Sequence, residues 1–396
     1  MNELKFDRVY AGIDLDNISY NLRSIKNVLR PGVRLMAVLK ADAYGHGARV
    51  VANYIKDDID VAGVAGVSEA LELRREMPGG KYYSPAFRKP ILVLGYTHRT
   101  MFRDAVLNDV TLTVFDYENA AELSRVAKEL GKVADVHVAV DTGMHRIGVP
   151  PDEKGLSVVR AVAALDGVRI RGVFSHFAMA DERNGTAFVE EQETLFKRFV
   201  AAIRRENIDP GVVHISNSAG IIRRIDDFDM VRAGIVLYGH YPSNEVDRSV
   251  LPLRPALSVR TRVVNVAVLK KGEGISYGHT FVADRDLVVA TLAAGYADGI
   301  MRSLSARGSV LINGKLCPIL GRICMDQMMV DAGPAGSVSA GDEAVIFGTG
   351  SGAELPIEDV AELCGSFNYE LMCEIGRRMN RIYFKDGAAV ENVSYI

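Results

Sequence analysis

The sequence has no long apolar run. Its longest stretches of that kind, such as 33–39, are far too short to span a bilayer. Residues 1–7 lack the apolar core of a secretory signal. A surplus of one charge is missing as well: 47 lysines and arginines face 50 acids, a net charge of −3. That balance argues against a chain built around nucleic acid or an anionic membrane. Cysteine is scarce, and the four present (Cys317, Cys324, Cys364, Cys373) all fall in the last quarter. None is paired at a two-residue spacing, so no zinc pattern arises and reduced thiols in a cytoplasm are expected. Internal repeats and low-complexity tracts are absent too. What is present is 396 residues, 48% hydrophobic and 24% charged. At roughly 100–200 residues per domain this is enough for two or three domains with a sizeable core.

Up to about residue 240, short β-branched runs alternate with segments of helical period. The strand-like runs are 33–40, 60–67, 91–95, 110–115, 135–141, 168–175, 212–216 and 231–238. Between them, 47–56, 68–76, 100–108, 119–131, 152–165, 186–207 and 219–225 read as helices, the second opening on Ser68. Such alternation implies parallel βαβ units, and eight of them is the size of a (β/α)8 barrel, with a doubly wound open sheet as the alternative. Pro242, Pro252 and Pro255 then punctuate a stretch without period. The expected domains are therefore 1–242, the barrel, and 243–396, a mostly β domain against which the first residues of the chain are expected to pack. Strands are predicted at 257–269, 287–293, 309–319, 328–330 and 343–347, with an Asn313-Gly314 hairpin turn and one late helix near 356–364.

Functional groups of such a barrel gather at the carboxyl ends of its strands. The first strand ends in Lys40, within Val38-Leu39-Lys40-Ala41-Asp42-Ala43-Tyr44-Gly45-His46-Gly47. An isolated lysine there would usually snorkel to the surface. Small residues and a glycine-flanked Tyr/His pair instead leave room for a ligand, and a lysine against low-dielectric walls can form a Schiff base. Other strand ends supply Asp141 to Arg146, Ser175-His176-Phe177, Ser216-Asn217-Ser218 and Arg232-Ala233-Gly234-Ile235. Singly, these read as a turn, a core histidine or a helix cap. Together they place one lysine, two histidines, two arginines and an anion cradle on one face.

With those residues in view, the chain resembles the alanine racemases over nearly its whole length. The resemblance rests on Ala37 to Gly47, Asp141-Thr142-Gly143-Met144, His176-Phe177-Ala178, Asn217-Ser218-Ala219, Arg232 to Gly239, Ser276-Tyr277-Gly278, Gly295 to Gly299, Cys324-Met325-Asp326-Gln327 and Asn368-Tyr369-Glu370. It implies a pyridoxal 5'-phosphate enzyme acting on a small amino acid, as a homodimer with shared sites. It further implies that Lys40 holds the cofactor and serves as one catalytic base, and that Tyr277 of the second subunit is the other. Tyr44, Ser218, Gly234, Ile235 and Tyr369 match phosphate-binding positions. Arg232 matches the arginine facing the pyridine nitrogen, His176 the link from it to the catalytic tyrosine, and His214 a cofactor-supporting histidine. Arg146 and the backbone of Met325 match the substrate carboxylate site; Asp181, Tyr296, Arg302 and Arg322 match the entrance. No metal is implied.

Two bases on opposite faces suit racemisation, because a single-sided base would mainly restore the original hand. A phenol with an unperturbed pKa near ~10 needs cationic neighbours to act near neutrality. Two positions depart from the pattern, and one is His145, often glycine in relatives. Ala139 stands where many relatives place a lysine that becomes carbamylated and orients the arginine matching Arg146. Another side chain, or a bound anion such as chloride, would have to balance Arg146, or the arginine is looser. Tyr369 favours alanine over serine, although one hydroxyl in a small pocket discriminates weakly. The competing readings are a serine-preferring racemase; a fold-related amino-acid decarboxylase, whose loss of carboxylate Arg146 and Met325 would oppose and for which Tyr277 would be superfluous; and a non-catalytic cofactor carrier, which would not need the β domain. His46 reads as support for the lysine loop; His98, His137, His240 and His279 receive no task.

Overall fold

In the computed structural model, residues 8–350 and 352–396 are described. Residues 1–7, expected to pack on the β domain, lie outside them. The described residues divide into two compact units, one of 17–43 with 48–254, the other of 8–16, 44–47, 255–350 and 352–396.

The first unit is built on eight parallel strands: β2 (Arg34–Val38), β3 (Val61–Val64), β4 (Ile91–Val93), β5 (Leu112–Val114), β6 (Ala134–Ala139), β7 (Val168–Phe174), β8 (Val212–His214) and β9 (Met230–Ala233). They pair in two runs, β4-β3-β2-β9 and β5-β6-β7-β8. A parallel bridge between Leu92 and Thr111 joins one pair of ends. At the other, Asp229 N donates to Val213 O and Arg232 N to Ser216 O, both at 3.0 Å. The ring is thereby closed, which is the barrel alternative and not the open sheet. Its strands are short and buried on both faces, as β-branched runs without alternation require.

The intervening helices start where side chains satisfy their orphan N–H groups. Asp116 accepts from Asn119 N at 2.7 Å, and Asp152 from Lys154 N at 2.9 Å. His98 caps a 3-10 turn, Arg99–Met101, that leads into the helix expected at 100–108. Ser68 is not a cap. The helix there is Val67–Arg74, Gly66 precedes it without a side-chain bond, and the carboxylate of Glu69 takes over, accepting from Ala65 N at 2.7 Å.

The unit also extends beyond the Pro242 punctuation. Residues 243–254 stay with the barrel because Tyr241 OH donates to Leu251 O at 2.9 Å and Asn21 Nδ2 to Arg254 O at 2.8 Å. The unit begins with a helix, Leu15–Val28, that the strand-helix count had not included.

The second unit is a ten-stranded sheet. Third from one edge of it is β1 (Val9–Asp14), antiparallel to β10 (Leu257–Leu269) and parallel to Asn380–Lys385. The Asn313-Gly314 turn joins Ser309–Ile312 to Lys315–Leu320, with both turn residues at positive φ as a primed hairpin turn demands. Asp386-Gly387 joins Asn380–Lys385 to Ala388–Val393 in the same way. Two late helices are present, Ile357–Cys364 and Asn368–Cys373, where one was expected. Among the described residues, no helix is long and apolar enough to cross a membrane, and no cluster of metal ligands occurs.

Candidate active site

β2 delivers Lys40 directly after its buried end. The chain then does something rare. Ala41, Asp42, Ala43 and Tyr44 all take φ between 52° and 55°, four successive non-glycine residues in the left-handed region. Each costs roughly 1–2 kcal/mol, so the turn must be held from outside. Glu69 Oε1 accepts from Ala41 N at 2.8 Å, and Asp42 Oδ1 from Ala48 N at 2.7 Å. The Lys40 stem is thus fixed by backbone contacts on the residue that comes after it.

The ends of β7, β8 and β9 converge on Arg232, which is buried. Its Nη1 donates to His214 Nδ1 at 2.8 Å; its Nη2 lies 2.8 Å from the carbonyls of Ser175 and Ile215 and 3.1 Å from His176 Nδ1. Phe174 lies beneath the guanidinium at 5.6 Å and stacks on His214 at 5.1 Å. Burial and the Arg146 charge press the Arg232 pKa down to about 9, which still leaves it cationic at neutral pH.

His176 faces donors on both nitrogens, since Asn217 Nδ2 is 3.3 Å from its Nε2 while Asn217 Oδ1 is committed to Gly220 N. A second proton has no acceptor there, and burial with the charges of Arg232, Arg146 and Lys40 holds this ring well below the usual imidazole range. Ser218 Oγ accepts from Gly234 N at 3.1 Å, and Ile235 is fully buried beside it in sequence.

Asp141 is spent locally. It accepts from Gly143 N and His145 N and meets His145 Nδ1 at 3.2 Å. Burial works against its charge, but these contacts hold the carboxyl below its ordinary value. It does not pair with Arg146. Among the described residues the exposed Arg146 guanidinium makes no hydrogen bond or ion pair, and Ala139 is buried at the end of β6. The described side chains therefore leave Arg146 without an anionic partner. Asp181 is half-buried, its carbonyl accepting from Ser243 Oγ at 2.6 Å.

In the second unit, Tyr44 and Tyr369 bring their rings to 6.0 Å. Tyr44 is buried, which pushes its phenol pKa upward, with Cys373 adding to the shift. The glycines beside it are compulsory. A Cβ on Gly45 would lie 2.2 Å from Met372 O, and one on Gly47 would lie 1.9 Å from the Tyr383 hydroxyl. Tyr383 OH donates to His46 O at 3.0 Å and buried Arg381 to Gly45 O at 3.0 Å.

Tyr277 is 68% exposed and Met325 52%. Ser276, at φ 65°, donates through Oγ to Arg322 O at 2.5 Å. Tyr296 N and Ala297 N donate to the carbonyls of Cys324 and Met325 at 3.0 Å, which ties Tyr296 to the Met325 loop. Arg302 and Arg322 are exposed.

Two sequence-family descriptions cover the chain: alanine racemase N-terminal domain over residues 13–242, and alanine racemase C-terminal domain over 256–383. Alanine racemase from Clostridium novyi is 42% identical over 391 residues, 98% of each chain. The chain belongs to the alanine racemase family. That from Desulforamulus reducens is 42% identical over 380 residues, 95% of this chain and 98% of the relative. Among solved structures, alanine racemase from Clostridium difficile 630 superimposes with a TM-score of 0.93 at 37% identity, covering 99% of this chain and 100% of that one. Alanine racemase from Bacillus anthracis with bound L-Ala-P gives 0.91 at 35% identity, covering 99% of each.

The alanine racemase family depends on pyridoxal 5'-phosphate, and the donor set of the barrel fits that group. Lys40 supplies an amine, and the charges of Lys40, Arg146 and Arg232 all bear on one histidine. Among the described residues neither arginine forms an ion pair with a carboxylate. Two arginines without a carboxylate partner among the described residues suit a phosphorylated ring and a substrate carboxylate. Three contributors escaped the sequence reading. Glu69 gave no signal beyond its place in a helix. Asn217 was legible as a cap, which it is, but not as a neighbour of His176. His137, whose Nδ1 lies 3.0 Å from His214 Nε2, was announced only by Gly172, the glycine in the neighbouring strand that makes room for it.

Proposed function

We propose that this alanine racemase interconverts L- and D-alanine by a two-base mechanism, as a cytoplasmic homodimer supplying D-alanine, with slower turnover of serine. The reading divides the labour between the barrel, which binds the cofactor, and the β domain, which contributes the second base. When bound, pyridoxal phosphate acidifies the substrate α-carbon by withdrawing its electrons. Lys40 exchanges the proton on one face of that carbon, and Tyr277 of the partner subunit on the other. Arg232 donates toward the ring nitrogen, and His214 supports it. His176 links it to the tyrosine, whose phenol needs such cationic surroundings to act near neutrality.

Tyr44, Ser218, Gly234, Ile235 and Tyr369 serve the phosphate. Arg146 and the Met325 backbone hold the substrate carboxylate in place, which favours racemisation over its loss as carbon dioxide. Asp181, Tyr296, Arg302 and Arg322 line the approach. The observation that carries this reading is the buried Arg232, bonded to two imidazoles and two carbonyls. A donor-only guanidinium at the ring nitrogen leaves that atom unprotonated and restrains side reactions such as transamination.

Incubation of the loaded enzyme with each enantiomer of alanine and serine in heavy water tests it, with chirality and deuterium at the α-carbon followed together. Loss of optical rotation with deuterium in the inverted product is expected for alanine, more slowly for serine, and is abolished by Tyr277→Phe. Carbon dioxide release with retained handedness would identify a decarboxylase instead. Full activity of a strict monomer on dilution would remove the partner subunit from the scheme.

A further inference from the structure

His137 is a buried titratable residue to which no role has fallen, yet the backbone is shaped around its ring. It lies within β6, and a Cβ on Gly172 of β7 would come within 2.3 Å of its Cε1 and 2.4 Å of its Nδ1. The β6–β7 register slips at the same point. Val136 pairs with Ile170 and His137 with Gly172, leaving Arg171 as an extra residue in β7. A bulge and a strand glycine together are the devices by which a sheet re-aims one side chain.

The ring is the outer member of a chain of three buried groups: His137 Nδ1 to His214 Nε2 at 3.0 Å, and His214 Nδ1 to Arg232 Nη1 at 2.8 Å. A guanidinium only donates, so the direction of every bond in this chain is settled. His214 must accept at Nδ1 and carry its proton on Nε2. That proton is donated to His137 Nδ1, and the His137 proton sits on Nε2. His137 also lines a cavity of about 850 Å³ at the amino ends of the barrel strands, with Arg34, Arg171, Asp209 and Asp229. Burial, and after it the Arg232 charge, push the His137 pKa down to about 3 and hold His214 well below its ordinary value, so both rings are neutral at physiological pH.

We propose that His137 is a positioning residue: by accepting from His214 Nε2 it fixes the His214 tautomer whose bare Nδ1 holds Arg232 in one orientation toward the cofactor ring. This rests on the assignment of Arg232 to that ring made above. Without an acceptor at position 137, the His214 Nε2–H is unpaired in the core. The other tautomer would set two N–H groups, of His214 and Arg232, against each other.

The test uses the holoenzyme with 15N-labelled histidine, its tautomers read by NMR, alongside the cofactor absorbance spectrum, kcat, KM and thermal stability. Wild type should show His214 protonated at Nε2. In His137→Asn the amide oxygen replaces Nδ1 as acceptor, so the tautomer and spectrum should be kept. In His137→Leu the His214 resonances should become a tautomer mixture, the cofactor spectrum should change, and kcat should fall about tenfold or more while KM moves less. Gly172→Ala, which pushes the ring aside without altering a polar group, should move the same readouts in the same direction.

A His137→Leu enzyme with His214 still protonated at Nε2 and an unchanged spectrum would overturn the proposal. So would a His137→Asn enzyme as impaired as His137→Leu, which would make the position one of packing. Failure of the underlying reading is separately visible: Arg232→Met with an unaltered cofactor spectrum would remove the arginine from the ring, and the proposal with it, whatever the tautomers show.

Discussion

Glu69 accepts the backbone N–H of Ala41 at 2.8 Å, one residue beyond Lys40, which follows β2. Its other oxygen accepts from Ala65 N at 2.7 Å. One carboxylate therefore ties the loop after β3 to the left-handed turn after β2. Replacing it by alanine hands both donors, which are on exposed residues, to water and should destabilise the fold by about 1 kcal/mol. The same change should weaken cofactor retention, because the turn no longer fixes the lysine stem. Glu69→Gln keeps an acceptor for one of the two and should fall between. Urea unfolding and equilibrium dialysis of the cofactor measure the two effects.

Arg232 is a second place where one side chain satisfies several buried groups. Arg232→Met retains volume but frees the carbonyls of Ser175 and Ile215 and the Nδ1 of His214. The expected loss is about 3 kcal/mol or more of stability, with racemisation falling further than stability alone explains. Chemical denaturation of the variant, beside its activity under conditions where it stays folded, separates the two.

Acid should unfold the barrel through its histidines. His137, His176 and His214 all have folded pKa values below the ordinary 6.5. The unfolded chain therefore binds more protons as pH falls below that value. Their contribution is fully present above pH 6.5 and is lost as pH drops toward the folded values, for His137 about 3. Three such groups give a slope of up to about 4 kcal/mol per pH unit. Unfolding free energy measured from pH 7 to pH 4.5 should show it, and His137→Asn should make it shallower.

In the proposed function Tyr369 is the residue expected to favour alanine over serine. Its ring lies 6.0 Å from that of Tyr44, so a smaller polar residue there opens space and offers a hydrogen bond. Tyr369→Asn should raise the serine-to-alanine ratio of kcat/KM by about 10-fold, the scale of one pocket contact. Paired chiral assays on the two amino acids measure the ratio; an unchanged ratio would place specificity elsewhere.

The barrel was legible because its eight strands are β-branched runs buried on both faces, which stand out against helical period. β1 was not, since Val9–Asp14 runs straight into the helix Leu15–Val28 with no turn residue between them. Strand ends pointed to Lys40, Arg146, His176 and Arg232 because chemistry in such a fold sits there. His137 and Glu69 act through other residues from mid-strand and from the first turn of a helix, where sequence pattern says only that a residue is inside or outside. Even so, Gly172 was a clue: a glycine within a strand often marks something pressing on the backbone.

The sheet of the second unit has a consequence for how the polypeptide can be cut. β1 lies between β10 and Asn380–Lys385, and the carbonyls of Gly45 and His46 are bound by Arg381 and Tyr383. A fragment beginning at Pro255 would lack both the strip that zips its sheet together and the hairpin of chain that satisfies two of its core side chains. Scission there should not release a self-sufficient β module, however clean the boundary looks on paper, and the missing pieces would have to be supplied in trans to restore it.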